Sequence, residues 1–181
     1  MVKQLRVLPA ICLLLLLTAC GSAPILSHYG DTQGRVGPHA GVDFAASTGT
    51  PVIAGADGEV VYTASGAFGA SNCGTGVLLV HPSLHPSLTV YTVYCHLERH
   101  EDGLRPGQKV KRGEIIGYVG TTGNARTPHV HWQVCKYSCI WGTASGDLWG
   151  TIDPLTITAG CFDAKKAHPA DKLTYPLRCK E

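Results

Sequence analysis

The sequence predicts an all-β domain built mainly on an antiparallel sheet. Short runs rich in Val, Thr and aromatic residues alternate with Gly, Pro, Asn and Ser punctuation. No stretch holds the apolar period of a helix over a useful length. Two of the runs, Val77–His81 and Leu88–His96, are joined by an extended hairpin loop over 81–87, whose prolines Pro82 and Pro86 keep it out of the ladder.

Six strands are expected in order. Val42–Ala45 follows the glycine of His39-Ala40-Gly41. Gly58–Ala64 opens on the turn Gly58-Glu59-Val60. In Val77–His81 the run Val77-Leu78-Leu79-Val80 is nearly all apolar, as suits a strand buried on both faces. Leu88–His96 contains Thr89-Val90-Tyr91-Thr92-Val93-Tyr94, strongly β-branched and aromatic. Glu114–Val119 and His129–Cys135 complete the set, the last fixed at its start by Pro128. There is no internal repeat and no need for a second domain.

The N-terminus reads as a targeting segment. Lys3 and Arg6 precede an apolar run, Val7 to Leu17, broken only by Pro9 and too short for a membrane span, so it reads as an export signal. Leu17-Thr18-Ala19-Cys20 resembles a bacterial lipobox. That resemblance implies cleavage before Cys20, lipidation of Cys20 and attachment to a membrane through the acyl chains. Gly21 in place of Asp, by resemblance to Gram-negative sorting, favours the periplasmic face of the outer membrane. The expected division is a signal over 1–19, a lipidated tether over 20–27, the folded domain over 28–155 and a C-terminal extension over 156–181. Removing residues 1–19 from 181 leaves 162, enough for one domain with a real core. The chain has 15 basic and 13 acidic side chains, and loss of Lys3 and Arg6 brings the two counts level. No basic stripe remains to neutralise phosphates, so a nucleic-acid partner is excluded. The oligomeric state is left open.

Of eight cysteines, Cys12 falls in the signal and Cys20 is taken by lipid. The other six form an even set in an exported protein, which reads as disulfides. Local spacing favours Cys135 with Cys139 and Cys161 with Cys179, while Cys73 and Cys95 flank neighbouring strands and can staple them. A thiolate zinc site at Cys135-x3-Cys139 is the alternative, disfavoured by an oxidising envelope.

The chemistry concentrates in the histidines. His129-Val130-His131 places two imidazoles on one face of a strand. The preceding loop over 120–128 is rich in small residues and lets a ligand approach closely. His39 and Asp43, three residues apart, sit at the start of a strand after Gly37-Pro38. These residue types suit a zinc ion with an open position. No His-Glu-x-x-His motif supplies a glutamate base, so proton transfer falls to histidine, which titrates near neutrality. His96, in Tyr94-Cys95-His96-Leu97, is the remaining candidate. Other polar residues have simpler readings. His96 and His100 have helical ligand spacing but lie in a strand. Glu98, Glu101 and Asp102 form a solvated turn, His81 is structural, and His28, His85 and His168 are surface residues.

The ordered motifs resemble the M23 endopeptidases, the lysostaphin- and LytM-like zinc peptidases that cut peptidoglycan cross-bridges. The resemblance runs from about Ser27 to Leu155. It comprises Ser27-His28-Tyr29-Gly30 with Arg35, His39-Ala40-Gly41-Val42-Asp43, Gly49-Thr50-Pro51-Val52 with Gly58-Glu59-Val60, Tyr94-Cys95-His96-Leu97, the Gly107–Gly113 segment, Thr122-Gly123 with His129-Val130-His131-Trp132, and Asp153-Pro154-Leu155. It implies the antiparallel fold of that family, one zinc ion held by His39, Asp43 and His131, and His96 and His129 as catalytic histidines, with their division of labour left open. It also implies peptidoglycan stem-peptide cross-links as substrate, in a Gram-negative wall the bond from D-alanine to diaminopimelate. Tyr29, Arg35, Asn124 and Trp132 are expected to line a peptide groove. Only a short segment precedes His39, so the site is expected to be open. The cysteines at 95 and 135 depart from the usual family pattern and would stiffen the strands that carry His96 and His131. Two rival functions remain. One is a catalytically idle lipoprotein that activates a cell-wall amidase, a kind that typically lacks metal residues, whereas all five are present here. The other is a zinc-binding lipoprotein, which has no need of His96.

Overall fold

Among the described residues, turn residues cut the chain into ten short strands that pair into one sheet. The structure is a computed structural model that describes residues 21–64, 72–136, 139, 148 and 150–180. The expectations for residues 1–19 and Cys20 lie outside these residues. In chain order the strands are β1 (Ile25–Ser27), β2 (Val42–Ala45), β3 (Pro51–Ile53), β4 (Gly58–Ala64), β5 (Thr75–His81), β6 (Val90–His100), β7 (Lys109–Val110), β8 (Ile115–Val119), β9 (His129–Lys136) and β10 (Thr151–Ile152). The main path runs β1-β2-β9-β6-β5-β4-β7; β10 pairs with β9, and β8 bridges β3 and β6. Every strand pairing is antiparallel. The described residues contain no α-helix, only a 3-10 turn at Pro154–Ile157. Its start is capped by Asp153, whose side chain accepts from the Leu155 N–H. The fold class is therefore the one the sequence predicts.

All six expected strands are present, two with the expected bounds. The 81–87 segment does lie in the connection between β5 and β6, which pair along their length. The largest boundary difference is in β6, which starts at Val90 and continues past His96 to His100. Strands β1, β3, β7 and β10 were not expected. Each is only two or three residues long, too short for period two to show, and each exists because a distant strand offers it hydrogen bonds.

Alternation sorts the central strands into two faces. Phe44 of β2, Val77 and Leu79 of β5, Tyr94 of β6 and Val130, Trp132 and Val134 of β9 turn to one face and form the main core. Leu78, Val93, Cys95 and Cys135 turn to the other and form a smaller cluster with Cys73 and Cys139. The three expected disulfides are all present: Cys73–Cys95, Cys135–Cys139 and Cys161–Cys179.

Both terminal segments belong to the domain, which corrects the expected boundaries. Ala23 is buried and Ile25–Ser27 pairs with β2, so residues 23–27 are not a free tether. Leu173 and Leu177 enter the main core, and Tyr175 packs on Phe44 with ring centroids 4.9 Å apart. Thr174 N–H donates to Gly55 O at 2.8 Å, and Lys180 N–H to Gly21 O at 3.0 Å. The 156–180 segment closes one side of the core and is no appendage.

Candidate active site

The register of β2 against β9 builds the site. Asp43 stands opposite His131 and Ala45 opposite His129, on the face away from the main core. His39 comes in just before β2, pinned by its backbone, with its N–H donating to Asp31 O at 2.9 Å and its carbonyl accepting from Gly30 N–H at 2.8 Å. Three donor atoms converge. His39 Nε2 is 2.9 Å from His131 Nδ1 and 3.1 Å from Asp43 Oδ1, and His131 Nδ1 is 2.9 Å from Asp43 Oδ1. Ligand atoms on a tetrahedral zinc at its usual bond lengths lie about 3.3 Å apart. Two imidazoles and a carboxylate at this spacing fit that ion and leave its fourth position open. Gly41 is needed here. A Cβ on it would fall 2.5 Å from Trp132 O and 2.8 Å from the His131 ring.

The partners of each ring fix its tautomer. A carbonyl only accepts, so His39 Nδ1 carries the proton it donates to His28 O at 2.9 Å, and Nε2 keeps a lone pair for metal. With His131 Nδ1 facing the metal position, Nε2–H of the same ring points to Gln133 Oε1 at 3.4 Å. His129 Nδ1–H donates to Thr127 O at 2.8 Å, and its Nε2 lies 3.8 Å from Asp43 Oδ1. His96 Nδ1–H donates to Thr122 O at 2.9 Å. The rings of His96 and His129 stand 4.7 Å apart, with His131 6.1 Å from His96. Two imidazoles, each anchored through Nδ1–H, thus flank the three ligand atoms.

His96 reaches this face by breaking the alternation of β6. Val77 pairs with Tyr94 and Thr75 with Leu97, so two steps along β5 oppose three along β6. This is a β-bulge. His96 has φ 64°, the single positive φ among the described non-glycine residues. Tyr94 and Leu97 both turn to the core, while Cys95 and His96 share the site face. A left-handed non-glycine residue costs on the order of 1–3 kcal/mol and persists where the surroundings over-determine it.

The electrostatics suit metal-assisted hydrolysis. Burial on its own raises the Asp43 carboxyl, but the imidazoles of His131 and His39 beside it outweigh burial and hold it well below the usual carboxylate range. Its second oxygen accepts from Arg35 Nη2 at 2.9 Å. His96 is pushed down to about 4 by burial first and by the neighbouring His131 second, so it is neutral at pH 7 and able to take a proton.

All five expected ligand and catalytic side chains meet at one point. The expected groove residues do not. Trp132 is fully buried in the core, because period two puts it on the opposite face from His131. Tyr29 packs against the core and its hydroxyl is bonded to Thr151 Oγ at 2.8 Å. Arg35, although exposed, is paired with the Asp43 carboxylate, and Asn124 is exposed on the loop before β9. His100 donates from Nε2 to Gly76 O at 3.0 Å and is no ligand. His168 is half-buried on Phe162, with ring centroids 5.1 Å apart, rather than at the surface. His81 is fully buried, as a structural histidine. Residues that earned no role from sequence are Ser27, which accepts from Arg35 at 3.1 Å, Gln133 and Thr122. Gln133 was legible: it continues the period-two series of His129 and His131.

Known proteins resemble this chain in sequence and fold. A family model described as peptidase family M23 matches residues 37–141. An uncharacterized metalloprotease of Haemophilus influenzae is 45% identical over 100 residues, covering 55% of this chain and 19% of that protein. Peptidoglycan DD-endopeptidase ShyA of Vibrio cholerae is 39% identical over 100 residues, covering 55% of this chain and 21% of that protein. This chain therefore spans about a fifth of the length of those two relatives. Among solved structures, the catalytic domain of the antimicrobial peptidase lysostaphin from Staphylococcus simulans superposes with a TM-score of 0.60 at 27% identity, covering 74% of this chain and 90% of that one.

Proposed function

Because the chain belongs to peptidase family M23, we propose that it is a zinc-dependent endopeptidase that hydrolyses peptidoglycan stem-peptide cross-links. One observation carries this reading above the rest. Three ligand atoms within 3.1 Å of one another have two further imidazoles beside them, each held through Nδ1–H to a backbone carbonyl. A protein that only stored zinc has no use for His96 held in a costly backbone conformation. A catalytically idle activator has no use for the complete set.

His39 Nε2, Asp43 Oδ1 and His131 Nδ1 would hold one zinc ion. When bound, zinc lowers the pKa of water to roughly 7 and polarises a carbonyl. The chain's own residues do the rest. Arg35 takes up the outer oxygen of Asp43, so that the inner one stays directed at the metal position. Of His96 and His129, one takes the proton of the attacking water at Nε2, and the other, once its own Nε2 has taken up a proton from solvent, donates it as a hydrogen bond to the oxygen that gains charge. The proton is then delivered to the departing amide nitrogen. Thr122 O and Thr127 O each hold one ring by its Nδ1–H, which fixes the ring's orientation and leaves Nε2 for these steps. The printed name of the Vibrio relative supports a bond between two D-centres, such as D-alanine to diaminopimelate, as the target. The signal over 1–19 and lipidation at Cys20 would place the reaction at the periplasmic face of an outer membrane.

The test is release of soluble muropeptides from purified cross-linked peptidoglycan. The zinc-loaded protein is expected to release them and a chelator to stop it. His96→Ala is expected to lower the rate by roughly 10²–10⁴-fold while zinc content is retained. No release by the zinc-loaded wild type rejects the reading.

A further inference from the structure

The Cys73–Cys95 disulfide lies where the bulge of β6 is made. Cys95 precedes His96 and stands opposite His131 in the register of β6 and β9. Cys73 holds the bulge at two points. Its sulfur is bonded to Cys95, with Cα atoms 4.9 Å apart, and its carbonyl accepts from the His96 N–H at 2.8 Å. The 72–75 segment is in turn locked against 122–124. Asn124 N–H donates to Asn72 O at 2.9 Å, Thr75 N–H donates to Thr122 Oγ at 2.9 Å, and Thr122 Oγ–H donates to Leu97 O at 2.7 Å. A Cβ at Gly74 would fall 2.4 Å from Gly123 N, and one at Gly123 would fall 2.4 Å from Asn72 O, so the two segments touch backbone to backbone. The His96 peptide is thus held by Cys73, its ring by Thr122, and the two holders by each other. A sparsely populated backbone conformation needs this kind of over-determination.

We propose that the Cys73–Cys95 disulfide is a positioning element for His96, fixing the bulge that turns the imidazole toward His39, Asp43 and His131. Its effect on rate rests on the endopeptidase reading; its effect on the His96 ring does not. Cys161–Cys179 provides the contrast. It joins Cys161 to Cys179 within the C-terminal segment, whose Leu173 and Leu177 lie in the main core and not on the site face.

The experiment compares Cys73→Ala/Cys95→Ala with Cys161→Ala/Cys179→Ala in the full chain, zinc-loaded, with folding checked by circular dichroism. Removing both cysteines of a pair leaves no stray thiolate to compete for zinc. Both pairs are expected to lower the melting temperature. Only Cys73→Ala/Cys95→Ala is expected to lower kcat on a soluble cross-linked muropeptide, by roughly 10- to 100-fold, with KM and zinc content unchanged. ¹⁵N spectra of the imidazoles are expected to show His96 as the Nδ1–H tautomer in the wild type and exchange-averaged in that variant. If Cys73→Ala/Cys95→Ala does not fold, Thr122→Val, which removes the Oγ bonds and keeps the carbonyl, takes the same measurements with the same expectation. A folded variant with wild-type kcat and an unchanged His96 signal overturns the proposal, as does an equal loss of kcat in both disulfide variants. If the zinc-loaded wild type is inactive, the endopeptidase reading falls and the His96 spectra alone decide the proposal.

Discussion

The two faces of β9 make opposite demands on the same eight residues. Val130, Trp132 and Val134 pack into a core closed by β2, β5, β6 and the C-terminal segment. His129, His131 and Gln133 face the site, and the small cluster beside them contains two disulfides. The core face gains its stability from buried apolar area, which is non-directional and tolerates small adjustments. The site face gathers imidazoles and a carboxylate that repel water poorly and must keep fixed directions. Where burial cannot hold a side chain, the chain substitutes covalent bonds and backbone carbonyls. Cys73–Cys95 lies under His96, and the carbonyls of His28, Thr122 and Thr127 hold three rings.

Neighbouring positions on β9 give the strongest way to break this contrast. His131→Ala is expected to abolish hydrolysis, by about 10³-fold or more, while the metal-free protein unfolds in urea nearly as the wild type does. Trp132→Ala is expected to do the reverse. It costs about 3–5 kcal/mol of stability through the cavity it leaves, and the folded fraction keeps its zinc. If Trp132→Ala loses zinc while still folded, the faces are not independent.

Histidines on the two faces sharpen it further. His81 lies on the core face, fully buried, with Nδ1–H donating to Asp57 O at 2.9 Å and Nε2 bonded to Thr92 Oγ at 2.8 Å. Burial pushes it down to about 4 from an ordinary value of 6.5. Above 6.5 it is neutral folded or unfolded and carries no penalty. As pH falls from 6.5 toward 4 the unfolded chain takes up a proton that the folded chain refuses, so stability is lost across that window, on the order of 3 kcal/mol. His96, also held down to about 4, adds to the same window. His81→Gln is therefore expected to flatten the dependence of urea midpoint on pH between 6.5 and 4 without abolishing it. An unchanged slope refutes the assignment.

The smallest effect concerns the outer support of the site. Arg35→Ala leaves the outer oxygen of Asp43 without its 2.9 Å partner. Zinc affinity, measured by competition with a chromophoric chelator, is expected to fall roughly 10- to 100-fold, with Arg35→Lys recovering part of it.

Sequence alone determined what local patterning can carry. Period two placed Asp43 between Val42 and Phe44, and it placed His129 and His131 on one face. The same rule already put Trp132 opposite His131, so its assignment to a groove was a misreading of a legible signal. Cysteine spacing favoured Cys135–Cys139 and Cys161–Cys179, and the neighbouring strands suggested Cys73–Cys95, with the connectivity left open until the fold paired them. Residue chemistry gathered His39, Asp43, His129 and His131 as zinc candidates, and the resemblance to the M23 peptidases implied which of them are ligands. Tertiary structure decided the direction of His96, since Tyr94-Cys95-His96-Leu97 contains no glycine to announce a left-handed residue and only the unequal step between β5 and β6 creates it. It decided that Arg35 braces Asp43, that Ile25–Ser27 pairs with β2, and that Leu173 and Leu177 complete the core. Alternation along a strand is set by neighbouring residues, whereas which face is covered, and by what, is set by partners far away in the chain.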